Sequence, residues 1–178
     1  MNGWHRRIEL LANVAIITAA LLLGAALVKR LLLPDSARRG AIEASQVKPG
    51  EKLLLPGVDW QKGERTLVMV LSTECHYCSE SAPFYQRLAQ ERVKHAGVSL
   101  VAVLPQDTNE STKYLCDHGI AVDEVRQVPL SAVPVKGTPT LIVVDKTGLV
   151  VSAWFGKLPA EKEGEVLSLF LGEPRQGA

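Results

Sequence analysis

Cysteine, aromatic residues and net charge are all scarce in this sequence. Only three cysteines occur among 178 residues, so a framework of disulfides is not expected to hold the fold together. The formal net charge is +1, and no cluster of lysine and arginine is interleaved with aromatic side chains, so nucleic acid is not an expected partner. A chain of this length suits one domain with an appendage, and no internal repeat divides it further.

One long apolar run stands out near the N-terminus. Residues 10–28 are apolar apart from Asn13 and Thr18, and at about 1.5 Å per residue such a helix nearly spans a hydrocarbon core of about 30 Å. Basic residues flank the run on both sides: Arg6, Arg7, Lys29 and Arg30. We therefore expect a membrane anchor over residues 1–33, with one transmembrane helix at 10–28, and a linker over residues 34–50.

The alternative for this run is a cleaved signal peptide, since Ala25 and Ala26 are small. The run is long for the apolar region of a signal peptide, which has roughly 7 to 15 residues, so we favour the anchor. The count of basic residues slightly favours a cytoplasmic domain, but long domains cross membranes with little regard to charge. We expect a single-pass membrane protein whose main domain is extracytoplasmic, on the periplasmic side.

The strongest motif in the rest of the chain is a pair of cysteines, Cys75 and Cys78. The pair follows a β-prone apolar run at residues 66–71 and precedes a helical pattern over residues 77–95. At the first turn of a helix, free N–H groups and the helix dipole favour a thiolate, so Cys75 is predicted to be the nucleophile in disulfide exchange. Cys78, one turn later on the same face, is predicted to attack a mixed disulfide at Cys75 and release the product. The rival interpretation, half of a metal site, usually needs a second pair or histidines at suitable spacing, so no metal or other cofactor is expected.

A second motif lies far along the chain, where Thr138 and Pro139 lead into an apolar strand over residues 141–144. Proline cannot donate to a β-ladder, so this position indicates an edge, a bulge or a special turn, most sharply a cis Thr138–Pro139 bond. With the cysteine pair, this ordered combination resembles the thioredoxin superfamily over residues 47–172. The layout is similar to that of TlpA/ResA-like membrane-anchored thiol-disulfide oxidoreductases.

The resemblance implies an α/β thioredoxin-like fold over residues 51–173, with a mixed central β-sheet flanked by helices. It implies protein disulfides or dithiols as substrates, an exposed Cys75 and a shielded Cys78. Pro139 would lie against the pair, and the backbone of Thr138 would be available to an extended substrate chain. A redox partner in the membrane is also implied, while the direction of electron flow stays open.

The sequence departs from the family pattern beside the cysteine pair. Many relatives bury a carboxylate on the preceding strand or three residues beyond the second cysteine, and these positions hold Met69 and Ser81 here. Glu80, one residue out of register, is a candidate substitute base, and its alternative role is that of a solvated charge. His76 is a candidate for favouring the nucleophilic thiolate, with a solvated loop histidine as the alternative.

Two other functions of the pair stay open. A peroxiredoxin-like peroxidase normally has a threonine three residues before its nucleophile and a proline seven before it; Ser72 imitates the first, and Val68 does not match the second. A copper-binding assembly factor of thioredoxin fold typically separates its cysteines by three residues, which this pair does not do. Cys116 is expected to be a small, partly buried residue of a helix over residues 110–118.

Overall fold

The structure, a computed structural model, describes residues 47–172 of the chain. The predicted anchor over residues 1–33 and most of the predicted linker lie outside the described residues. Between residues 47 and 172, no helix combines the length and the apolar composition needed to cross a membrane.

Five strands form one mixed sheet in the order β3-β2-β1-β4-β5. Strands β1 to β3 run parallel to one another, while β4 is antiparallel to β1 and β5 is antiparallel to β4. The strands are β1 (Arg65–Val70), β2 (Val98–Leu104), β3 (Glu124–Gln127), β4 (Thr140–Asp145) and β5 (Val150–Phe155). The predicted mixed sheet is therefore confirmed, and its central strand β1 leads directly to the cysteine pair.

Four α-helices accompany the sheet: α1 (His76–Glu80), α2 (Ala82–Lys94), α3 (Thr108–Asp117) and α4 (Ala160–Leu171). Helix α3 begins two residues earlier than the sequence predicts, because the Asp107 carboxylate accepts hydrogen bonds from the N–H groups of Asn109 and Glu110. Short 3₁₀ turns occur at Trp60–Lys62 and Leu130–Ala132.

The side chains of β1 are buried on both faces of the sheet. Leu67 and Met69 belong to a cluster that includes residues from all four helices. Val68 and Val70 alternate with them and pack in a second cluster, which contains Val47, Leu53, Leu55, Val128 and Val133 from irregular segments. A strand covered on both faces reads as a continuous apolar run, and this is why the sequence indicates its position well.

The active-site helix differs from the single helix predicted over residues 77–95. It is divided into α1 and α2 at Ser81, and Pro83 lies in the first turn of α2. Proline has no N–H to continue the hydrogen-bond ladder of α1, so a new helix begins there. The buried face of α2 holds Phe84 and Leu88, while Val93 near the end of the helix is 74% exposed.

Two further segments differ from the prediction. Strand β3 was missed because its sequence, Glu-Val-Arg-Gln, lacks apolar alternation, and it pairs only with β2 at one edge of the sheet. In residues 51–60, the backbone forms a single isolated β-bridge, between Lys52 and Leu149.

Candidate active site

Cys75 is the N-cap residue of α1, immediately after the loop that follows β1. Its sulfur accepts a hydrogen bond from the backbone N–H of Cys78 at 3.2 Å. The Cys78 thiol donates a second hydrogen bond to the same sulfur. Two donors therefore converge on the half-buried Cys75 Sγ at the N-terminus of α1.

Cys78 lies inside the protein, with no solvent-exposed surface. Burial raises the pKa of its thiol to about 12, and the hydrogen bond that it donates to Cys75 adds to this increase, because ionisation would break the bond. A backbone hydrogen bond from Ser72 and one from the Thr138 side chain act in the opposite direction. The two sulfurs thus have different environments, one supplied with donors at a helix end and the other held as a protonated thiol.

The loop before β4 lies beside this pair. The Thr138–Pro139 peptide bond is cis, and the Thr138 hydroxyl is hydrogen-bonded to the Cys78 sulfur. The loop is held from both sides, since the Pro139 carbonyl accepts the N–H of Gly156 at 2.8 Å and Thr140 Oγ1 donates to the Gly137 carbonyl at 2.7 Å. The structure therefore brings the two separated sequence motifs together.

A clamp that sequence reasoning missed secures the loop between β1 and α1. Gln106, at the carboxyl end of β2, donates to Ser72 Oγ at 3.1 Å, and its Oε1 accepts the N–H of Thr73 at 3.4 Å. Thr73 Oγ1 also donates to Glu110 Oε1 at 2.8 Å. Because parallel strands end at the same edge of a sheet, the polar residues after β1 and β2 were a usable signal for this clamp.

The ionisable side chains of α1, His76 and Glu80, lie next to each other on its exposed side. Glu80 Oε1 lies 3.1 Å from His76 Nε2, and Glu80 Oε2 lies 3.0 Å from Lys157 Nζ, which comes from the segment after β5. The hydrogen bond from Lys157 holds the pKa of Glu80 below its ordinary value. Glu80 is thus an ionised, partly solvated carboxylate, and its contact with Lys157 was not predicted.

The two positions where relatives bury a carboxylate are both inside the protein. Met69 has no exposed surface, and Ser81 is 7% exposed. The Ser81 hydroxyl donates to the backbone carbonyl of Tyr77 at 2.7 Å. The interior beside Cys78 therefore contains hydroxyl and thioether groups at these positions.

Cys116 is not the partly buried residue that the sequence predicted. It is exposed on α3, whose buried face is formed by Ser111, Tyr114 and Leu115. A residue directly after that face turns by about 100° toward solvent. On β5, Phe155 is 49% exposed, while the neighbouring Trp154 is buried.

Comparison with known proteins gives a family and a group of similar structures. The sequence profile described as the thioredoxin-like domain matches residues 60–169. No curated protein is similar enough in sequence to this chain to count as a match.

Among solved structures, a candidate thiol:disulfide interchange protein DsbE from Chlorobium tepidum is 26% identical, with a TM-score of 0.54, over 71% of this chain and all of that one. A thiol-disulfide isomerase from Corynebacterium glutamicum is 18% identical, with a TM-score of 0.52, over 72% of this chain and 96% of its own. A thiol:disulfide interchange protein from Bacteroides sp. is 17% identical, with a TM-score of 0.53, over 73% and 90% of the two chains. The last two similarities show a common fold.

The profile match covers more than half of the chain, from the 3₁₀ turn before β1 into α4. It includes the cysteine pair, the cis-proline loop and every strand of the sheet. The predicted thioredoxin-like fold is confirmed, and the chain belongs to the thioredoxin-like domain family.

Proposed function

We propose that this protein is a membrane-tethered thiol-disulfide oxidoreductase that exchanges disulfides with protein substrates through Cys75 and Cys78. The observation that carries the proposal is the contrast between the two sulfurs. Cys75 Sγ accepts two hydrogen bonds at a helix N-terminus, while Cys78 is fully buried and protonated. This contrast suits a nucleophile and a resolving thiol.

In the reducing direction, the Cys75 thiolate attacks one sulfur of a substrate disulfide. A bond forms between Cys75 Sγ and that sulfur, the substrate S–S bond breaks, and the second substrate sulfur leaves with the electron pair and takes up a proton. Cys78 then attacks Cys75 Sγ, the Cys75–Cys78 disulfide forms, and the first substrate sulfur leaves and takes up the proton that Cys78 gives up. The substrate gains two electrons and two protons, and the protein dithiol is oxidised. The oxidising direction reverses the same bonds.

The loop that carries Thr138 and Pro139 is the proposed docking site for the substrate chain. The loop is attached to the end of β5 through the hydrogen bond between Gly156 and Pro139, and Thr138 contacts Cys78. An extended segment that pairs with this backbone would present its disulfide to the half-buried Cys75. We also propose that His76, paired with Glu80, favours the Cys75 thiolate when its imidazole is protonated.

Membrane attachment rests on the apolar run at residues 10–28. In this proposal, residues 1–33 anchor the protein, residues 34–50 link the anchor to the domain, and the domain faces the extracytoplasmic side. A membrane dithiol protein would then return the Cys75–Cys78 disulfide to the dithiol state by the same exchange reaction. For each substrate disulfide that is reduced, this partner supplies two electrons to the protein and is itself oxidised.

The proposal is tested with full-length protein and a substrate whose disulfide reduction is monitored by gel shift. Cys75→Ser should abolish exchange, and Cys78→Ser should accumulate a covalent adduct between Cys75 and the substrate. Cys116→Ser is the matched control and should leave exchange unchanged, since this cysteine is exposed on α3. A fully active Cys75→Ser protein would refute the assignment. Peroxide consumption that exceeds disulfide reduction would favour a peroxidase instead.

A further inference from the structure

Ser72 connects the nucleophilic cysteine to the polar residues after β2, and the role argued for this connection rests on the proposed function. The Ser72 carbonyl accepts the backbone N–H of Cys75 at 3.1 Å. Its Oγ accepts hydrogen bonds from Gln106 Nε2 at 3.1 Å and from the N–H of Glu74 at 3.3 Å. Ser72 is only 8% exposed, which limits competition from water for these bonds. A continuous path of direct contacts therefore runs from Gln106 through Ser72 to Cys75.

The side-chain amide of Gln106 binds two consecutive residues of the loop between β1 and α1. While Nε2 donates to Ser72, Oε1 accepts the N–H of Thr73 at 3.4 Å. With the bonds of Ser72, this gives an acceptor to each backbone N–H of residues 73–75. A planar amide fixes the relative position of its two ends, so the loop cannot slide past Gln106 without losing both contacts.

Gln106 is itself held in place by the fold. It lies two residues after β2, which pairs with β1 along the full length of β1. Its carbonyl accepts the hydroxyl of Ser111 at 3.3 Å, and Ser111 has no exposed surface. The next residue, Asp107, caps α3. A strand and a helix thus fix the backbone of Gln106, so its side chain can support a loop that carries a reactive group.

The reaction of Cys75 with Cys78 depends on where the backbone of Cys75 lies. Cys75 caps α1 with an extended backbone, at φ −88° and ψ 106°, and its sulfur lies 3.2 Å from the backbone nitrogen of Cys78. In the resolving step, the Cys78 sulfur must approach Cys75 Sγ in line with the bond to the substrate sulfur. Because Cys78 is fully buried, it has little freedom to follow a displaced partner. The position of Cys75 therefore determines how readily the reacting atoms reach this arrangement.

We propose that Gln106, acting through Ser72, is a positioning residue that holds Cys75 for attack by Cys78. In this step the Cys75–Cys78 bond forms and the bond between Cys75 and the substrate sulfur breaks. The substrate sulfur leaves with the electron pair and takes up the proton that Cys78 gives up. Ring closure within one protein gains its rate from fixed geometry, whereas the first attack of Cys75 on a diffusing disulfide depends less on it. Loss of the Gln106 contacts should therefore slow the second step more than the first.

The test uses full-length reduced protein in which Cys116→Ser removes the third thiol, because Cys116 is exposed and would react as well. One equivalent of 5,5′-dithiobis(2-nitrobenzoate) releases a first coloured thiolate when Cys75 attacks it and a second when Cys78 resolves the mixed disulfide. Gln106→Met keeps the length of the side chain and removes its hydrogen bonds. This variant should slow the second release about fivefold and leave the first within about twofold of the parent protein.

Further variants test the path through Ser72. Ser72→Ala removes the oxygen that Gln106 contacts, so it should also slow the second release about fivefold, and it replaces Gln106→Met if that variant does not fold. When the two substitutions are combined, little further slowing is expected, because both break the same contact. Gln106→Glu should restore the second release to within about twofold of the parent protein, since its carboxylate can accept the Thr73 N–H and the Ser72 hydroxyl proton.

Thr73→Val is the matched control within the same loop. It removes the exposed hydrogen bond from Thr73 Oγ1 to Glu110, keeps the backbone contacts, and should leave both releases within about twofold. Equal second-release rates in the parent, Gln106→Met and Ser72→Ala proteins would overturn the proposal. Equal slowing of both steps, a double variant that multiplies the single effects, or an equal effect of Thr73→Val would also overturn it. A Cys75→Ser protein that still gives both releases would instead refute the proposed function.

Discussion

The hydroxyl of Thr138 donates a hydrogen bond to the thiol of Cys78, although the two residues are far apart in the sequence. One lies in α1 after β1, and the other lies in the loop before β4. Strands β1 and β4 are antiparallel neighbours, and Val70 at the end of β1 pairs with Thr140 at the start of β4. The sheet register therefore sets the cis-proline loop beside the resolving cysteine.

Replacement of Thr138 by valine tests the chemical role of this hydrogen bond. Valine keeps the branched shape but lacks the donor that lowers the pKa of Cys78, so the pKa of the thiol should rise further. Resolution of a mixed disulfide at Cys75 should slow about fivefold in Thr138→Val. The rate can be measured with 5,5′-dithiobis(2-nitrobenzoate), because its second coloured thiolate is released when Cys78 attacks the mixed disulfide at Cys75. Thr138→Ser retains the hydroxyl and should resolve at close to the wild-type rate, and equal rates in the two variants would contradict the role.

Glu80 provides a second prediction, because its geometry is that of an ion-paired surface carboxylate. It is bound to Lys157 and His76, and Lys157 lowers its pKa, which makes it a weaker base. Glu80→Gln should therefore leave the resolution rate within about twofold of wild type. Loss of this negative charge slightly favours the Cys75 thiolate, so the equilibrium with glutathione should move by about 10 mV toward a more oxidising disulfide, and high salt should remove the difference.

Lys157→Gln is the matched variant for this comparison. In this variant a positive charge is lost and Glu80 keeps only its contact with His76. The small shift in the redox potential should therefore have the sign opposite to that of Glu80→Gln. A tenfold slower resolution in Glu80→Gln would instead identify Glu80 as the base that the sequence offered as a candidate.

The fold was largely predictable because the central strands are buried on both faces. The apolar runs predicted at residues 66–71 and 141–144 correspond to β1 and β4. Strand β3 was not predicted, because an edge strand with charged residues has neither an apolar run nor an alternation of apolar and polar residues. The side-chain cap at Asp107 was not recognised from the sequence, so the predicted start of α3 was two residues late.

The candidate site was only partly predictable for a different reason. Local spacing indicates Cys75 and Cys78, since both lie in a single turn of helix. The Lys157 contact with Glu80 and the Gln106 clamp join residues that are distant in the chain, so spacing carries no sign of them. In the sequence, Ser81 is conspicuous only because many relatives have a carboxylate at this position. Its hydrogen bond with the buried Tyr85 is known only from the structure.

Two glycines with opposite environments give a prediction about stability. A Cβ at Gly63 would lie 2.7 Å from the Gly97 carbonyl oxygen, which accepts the N–H of Glu64 at 2.7 Å, so the backbone there cannot easily shift. Gly63→Ala should therefore lower the free energy of unfolding by about 1 to 3 kcal/mol. Gly164 lies in α4 with no atom within 4 Å of an added Cβ, and Gly164→Ala should raise it by up to about 1 kcal/mol. Urea unfolding of both variants checks the signs, and destabilisation by Gly164→Ala would contradict this account of α4.

The buried thiol of Cys78 predicts how the stability of the reduced protein depends on pH. Burial raises the pKa of this thiol from an ordinary value of 9.0 to about 12 in the folded state. Above pH 9, the unfolded chain releases the proton while the folded protein keeps it, so the free energy of unfolding must fall as pH rises. The slope for this one group approaches about 1.4 kcal/mol per pH unit. The effect is absent below pH 9, where both states hold the proton.

Urea unfolding of the reduced protein between pH 8 and pH 10 measures this slope. Burial also raises the pKa values of Tyr85 and Tyr114, and these phenols add to the slope only as they ionise in the unfolded chain, near their ordinary pKa of 10.0. Cys78→Ala has lower stability at every pH because it leaves a cavity, but it lacks the titrating group, so its slope above pH 9 should be smaller. Parallel curves for the two proteins would mean that Cys78 ionises as readily in the folded state as in the unfolded state. In that case the distinction between a nucleophilic Cys75 and a protonated Cys78 would have to come from solvent access alone.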